Sequence, residues 1–184
     1  MTAATRFWAR DILHFWFAKL RPQQRFARDD AVDALLRRHF APLLPGLSHQ
    51  PVSGFLSDPL TARAAILLFD QVPRNVFRDD PRAFAFDPLA RAITHGAIAR
   101  GFDKGLALEQ RQFLYMPLMH SEHIADQRES VRRFTSLGSA YVTGFARAHY
   151  RMVARFGRFP HRNAVLGRAS TPAEKRAVAA GNHW

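Results

Sequence analysis

The chain has no cysteine. Disulfides and thiolate metal sites are therefore excluded, an absence neutral between cytoplasmic and secreted proteins. Lysine is nearly missing too: of 27 basic residues only Lys19, Lys104 and Lys175 are lysines. Acids number 15, which leaves a net charge of +12. No apolar run reaches the roughly 18 residues that a membrane span needs. "DILHFWFAK" is too broken by polar residues to be a signal-peptide core. Alternating strand patterns, low-complexity segments and a repeat of about 34 residues are also lacking. So are a glycine-rich phosphate loop, a nucleophile elbow and an HExxH motif. No motif therefore names a reaction, and whether the protein is an enzyme stays open.

What is present is a globular composition. The 184 residues are 47% hydrophobic and include 16 Phe, enough for a real core in one domain spanning 1–184. A cytoplasmic location without membrane association is expected. The charge is uneven: residues 1–28 carry +5, residues 145–184 carry +7, and the stretch between is neutral. An Arg- and Ala-rich chain can reflect a GC-rich genome, or a basic surface that draws nucleic acid nonspecifically.

The periodicity is helical almost throughout. Residues 5–20 place Phe7, Ile12, Phe15, Trp16 and Leu20 on one side. Asp29 or Asp30 is placed to cap a helix to Phe40, with Val32, Leu35, Leu36 and Phe40 as its stripe. "PLLPGLSHQPVSGFLSDP" reads as a long connection. "LTARAAILLFDQ" is apolar nearly all round, as a central buried helix is, and its alanines disfavour a strand. "FDPLARAITHGAIARG" predicts a helix stopped by Gly101, and "LEQRQFLYMPL" one ended or kinked by Pro117. Ser121 is placed to cap a long helix from about Glu122 to Phe156, with Gly138 allowing close contact or a bend. Thr171-Pro172-Ala173-Glu174 is a capping box opening a last helix that Gly181 closes. The expectation is an all-α domain of about seven or eight helices.

Three segments put polar residues among apolar ones. In "FDQVPRN", Asp70 ends an apolar helix, against the helix dipole, and needs a cation such as Arg74 or an arginine of residues 156–171. In "HSEHIADQ", His120, Glu122 and His123 invite a metal, but the spacing fits poorly and a helix start with favourably placed acids explains them better. No metal or cofactor is expected. "FGRFPHRNAVLGRAST" holds Arg158, His161, Arg162 and Arg168 with no carboxylate. Its arginines must meet anions elsewhere in the fold or on a ligand, and Asp70 and Glu122 are the internal candidates. His149 lies on the apolar stripe of the long helix, where a hydrogen-bonded core role competes with an acid/base one. Arg147, Arg151 and Arg155 line one side of that helix, as a solvated basic face does and as a nucleic-acid contact would.

Together "ILHFWF", "LLFDQVPRN", "AFAFDPLA", "RQFLYMPLMHSE", "ADQ" and "FGRFPHRNAVLGRASTPAE" resemble, in order and over nearly the whole chain, the bacterial domain-of-unknown-function 924 family. That resemblance implies an all-α, tetratricopeptide-like arrangement and brings no activity with it. It marks Asp70, Gln71, Arg74, Asn75, His120, Ser121, Glu122, Gln127, Arg158, His161, Arg162 and Asn163 as motif positions. Two departures stand out. His123 replaces an acidic or amide residue, which weakens the metal reading, and the segment before Pro59 lacks the family's Trp and Gly pattern.

The leading expectation is a polar pocket for a small anionic ligand. Its residues would be Asp70, Gln71, Arg74, Asn75, His120, Glu122, Gln127, His149, Arg158, His161, Arg162 and Asn163, arginines clamping the anion and histidines serving as acid or base. The rival is a helical scaffold that binds a protein or peptide, its polar motifs structural. Nonspecific nucleic-acid binding by the basic termini is the third reading.

Overall fold

The structure, a computed structural model, describes residues 7–181. Arg6, part of the basic N-terminus, lies outside them. The fold is helical, with no strand among the described residues. Contacts gather it into two compact units, one of residues up to Arg78 with Arg82–Ala107, the other of Asp79–Pro81 with Leu108 onward.

In the first unit, α1 (Phe7–His14) continues through a π-helical turn at Phe15–Lys19 and buries Ala9, Ile12 and Trp16. Phe7, expected on that stripe, is largely exposed. α2 (Asp30–His39) is capped by Asp29, whose carboxylate accepts the Ala31 and Val32 N–H groups. The expected long connection holds α3 (Leu43–Ser48) and a 3-10 turn at Val52–Phe55. Leu44 and Phe55 are buried, which stabilises helix despite the prolines and glycines around them.

α4 (Pro59–Ile66) starts at the Asp58 cap with Pro59 in its first turn, and runs through a π-helical turn at Leu67–Gln71 into α5 (Val72–Val76). Residues 64–73 are all buried, as the nearly all-round apolar pattern up to Phe69 predicts, and the burial extends over Asp70 and Gln71. α6 (Asp87–Ala99) packs on α4, and Gly101 stops it at φ 70°.

Buried Arg25 fastens the end of the α1 rod. Its guanidinium donates to the carbonyls of Trp16 (2.7 Å), Phe17 (3.2 Å) and Leu20 (3.0 Å). These are orphan carbonyls of a helix C-terminus, which no apolar side chain could satisfy. Arg25→Met is expected to lower unfolding free energy by about 2–3 kcal/mol in urea titration. A change under about 0.5 kcal/mol would show that water replaces the guanidinium.

The second unit holds α7 (Leu108–Met119), α8 (Ile124–Thr135), α9 (Ala140–Phe156) and α10 (Pro172–Ala179). α8 packs against both α7 and α9. Pro117 lies within α7, which continues to Met119. The expected helix from Glu122 to Phe156 is two helices, because Gly138 takes φ 72° and turns the chain between them. The turn resets the register. Val142, Ala146, His149 and Val153 face inward, while Tyr141 and Phe145 are 76% and 39% exposed. Taking α4 and α5 as one rod, the described residues form nine helices.

Candidate functional site

"FDQVPRN" lies inside the first unit's central rod. The rod does not end at Asp70, so no helix terminus opposes its carboxylate. Asp70 is fully buried and meets the Arg74 guanidinium at 3.2 Å, one helical turn away. Arg74 also forks onto Asp87 with two bonds of 2.9 Å. The Gln71 side-chain amide donates to Asp70, and Asn75 donates to the Gln71 carbonyl at 2.9 Å. Arg78 joins Asn75 to buried Asp33, with its Nη2 2.9 Å from Asn75 Oδ1 and 3.0 Å from Asp33 Oδ1. Each carboxylate of this chain of contacts meets a guanidinium in good geometry, as buried charge requires.

"HSEHIADQ" joins α7 to α8. Ser121 is not the helix cap: α8 begins two residues after His123's neighbour Glu122, at Ile124, with His123 in the cap position. The Ser121 hydroxyl accepts the His123 N–H at 3.1 Å and donates to Asp126 at 2.7 Å. Gln127, fully buried, donates to the carbonyls of Met119 and Ser121, both at 2.6 Å. It ties off the end of α7.

Arg158 and Arg168 find their carboxylates within the second unit. Arg158 forks onto Glu174 at 2.7 and 3.1 Å. Glu174 also closes the capping box with Thr171, and these bonds, the Arg158 bond foremost, hold its carboxyl down at about 2. Arg168 forks onto Glu122 at 2.7 and 2.9 Å. Burial works to raise the Glu122 carboxyl, but Arg168, the Phe159 N–H and Arg162 outweigh it and bring it below the usual range. Asn163, fully buried, accepts from Arg168 at 3.0 Å and steers that guanidinium.

Arg162 takes a different place. It is buried, with its guanidinium 4.6 Å above the Phe159 ring centre. Around the same fully buried ring stand His149, edge-on at 5.5 Å, and His161, tilted at 5.5 Å. His120 approaches His149 at 6.2 Å. The His149 Nδ1 lies 2.9 Å from the Phe145 carbonyl. A carbonyl only accepts, so Nδ1 carries the proton and Nε2 presents a lone pair. Burial first, then the charges of His120, Arg162 and His161, push His149 down to about 3 against the Phe145 bond, so it is neutral at physiological pH.

The expected residues thus fall into two groups. Asp70, Gln71, Arg74 and Asn75 are gathered in the first unit, and His120, Glu122, Gln127, His149, Arg158, His161, Arg162 and Asn163 in the second. Of these, Gln127, Arg158 and Asn163 hold backbone or partner side chains in the bonds above. Sequence reasoning named Glu122 as a counter-charge for the arginines of residues 156–171, and Arg168 is the one it takes; it missed Glu174 as the partner of Arg158 and Phe159 as the ring beneath Arg162. The hint for Phe159 was an aromatic three residues before an arginine in a segment with no acid.

A family model described as "Bacterial protein of unknown function" (DUF924) matches residues 12–182. A solved structure of a protein of unknown function from Agrobacterium tumefaciens is similar to this chain at 36% identity. The match covers 98% of this chain and 100% of that one, with a TM-score of 0.89. No curated protein matches. The chain belongs to the DUF924 family of bacterial proteins.

Proposed function

We propose that the second unit binds a small anion beside Phe159, with Arg162 as the clamp and His120 and His161 as neighbouring donors. One observation carries this reading: a buried arginine and two histidines gather around the Phe159 ring, with a third histidine, His120, against His149. A guanidinium fork matches carboxylate and phosphate oxygens. His120 and His161 are only partly buried, which gives the cluster a solvent-facing side.

Phosphate and sulfate are the anions to test, since each offers the oxygens that a guanidinium fork takes. Both salts also stabilise proteins generally, so the readout is the difference from a variant. At equal ionic strength they are expected to raise the melting temperature of the natural chain more than that of Arg162→Gln. An equal rise in Arg162→Gln would refute the site.

A further inference from the structure

The exposed side of α9 carries a feature that the anion cluster does not use. Tyr141 and Phe145 stand one turn apart in edge-to-face contact, ring centres 5.1 Å apart, and remain exposed. Farther along the same helix Arg147, Arg151 and Arg155 follow at four-residue spacing, a row that winds round toward the side of the rings, and all three are exposed. Their Cα atoms are therefore about 6 Å apart along the axis, and the Arg155 guanidinium lies 4.9 Å from the Phe156 ring centre. Gly144 and Ala148 lie between the rings and the arginines and leave the backbone uncrowded.

The sequence that carries this face has charge of one sign. No Asp or Glu occurs between Glu129 and Glu174. Those two are themselves engaged, Glu129 by Arg132 and Arg133 and Glu174 by Arg158. α9 itself contains no acid. A solvated helix that needed only solubility would mix signs and keep large aromatics inward.

We infer that this face of α9 binds single-stranded nucleic acid, the arginine row following the phosphates and Tyr141 and Phe145 taking unstacked bases. Basic rows beside exposed rings hold single strands in this way, because every base offers a π-face. An acidic peptide would use the arginines and leave the rings without a matched partner. A duplex offers phosphates, but its bases are stacked on one another.

The test is fluorescence anisotropy with a labelled 20-nucleotide oligothymidylate, using the full chain at several salt concentrations. Arg147→Gln/Arg151→Gln/Arg155→Gln is expected to weaken binding and flatten the log–log salt slope by about 2, the value for three phosphate contacts on a single strand. Tyr141→Ala/Phe145→Ala is expected to weaken binding about tenfold with the slope unchanged. A charge-matched control, Arg10→Gln/Arg21→Gln/Arg28→Gln in the first unit, is expected to lose far less. Circular dichroism confirms the fold of each variant, all of whose positions are exposed. Equal loss in the control would mean that net charge binds the strand, and the inference falls. Full affinity in the aromatic variant, or equally tight binding of polyglutamate, would overturn it in favour of a general polyanion or an acidic protein partner.

Discussion

Phe159→Ala is expected to lower unfolding free energy by about 3–5 kcal/mol, the range for emptying a fully buried phenylalanine site. In a chain of this length that corresponds to a fall in melting temperature of roughly 10 °C. Phe159 has no exposed surface and touches the imidazoles of His149 and His161 and the Arg162 guanidinium. Truncation removes apolar contact and also the π-face on which a buried cation rests. Phe159→Leu separates the two effects. It keeps most of the volume but has no π-face, so its cost, expected near 1–2 kcal/mol, reports mainly the cation contact. Thermal and urea unfolding of both variants measure this. A Phe159→Ala cost under 1 kcal/mol would mean that the surroundings collapse to fill the site.

The second large effect is on pH. His149 is held at about 3 in the folded protein, against an ordinary 6.5 once unfolding exposes it. Between those values the unfolded chain binds a proton that the folded chain refuses. The stabilisation tied to neutral His149 is therefore complete above about pH 6.5 and is lost as pH falls toward 3. The loss is at most about 1.4 kcal/mol per pH unit, or about 3 kcal/mol by pH 4.5. His149→Gln keeps a donor for the Phe145 carbonyl but cannot titrate. Its unfolding free energy is expected to fall less steeply between pH 7 and 5 than that of the natural chain. Measurement above pH 5 avoids Glu174, whose stabilising ionisation is lost only between its unfolded value near 4.5 and about 2. Parallel slopes in the two proteins would show that His149 does not set the pH response.

Local chemistry was the readable part of this chain. Asp29 and Thr171 cap helices because a short polar side chain meets N–H groups two or three residues on, which spacing alone reveals. The buried centre was equally plain from the nearly all-round apolar stretch Ala62–Phe69, though not its extension through Asp70 and Gln71. Three features were hidden. α3 carries a proline and a glycine, and only burial of Leu44 accounts for its being helix. The break at Gly138 was masked because the apolar spacing of α8 and α9 continues across it. The partner of Arg158 was hidden by a plausible local duty: Glu174 was already explained as a cap, yet a carboxylate that accepts one backbone N–H keeps lone pairs for a guanidinium 16 residues away. Asp70 and Glu122 were legible as counter-charges, though not which arginine each would take. Asp70 takes Arg74 one turn along, and Glu122 takes Arg168 of residues 156–171.

The π-helical turn at Leu67–Gln71 has a consequence for how this family can vary in length. A π-turn holds one residue more than an α-helical turn of the same rise. Deleting a residue there would give an ordinary helix with no loss of backbone hydrogen bonding, and by local criteria it would be harmless. Because the widened turn absorbs the extra residue, the helix beyond it would keep nearly its present direction. Arg74 would still face Asp87, and Arg78 would still face Asp33. The wide turn is thus the place where the rod tolerates a change of length: a deletion in the regular helix on either side would rotate both arginines by about 100° off their aspartates, and should be tolerated far less.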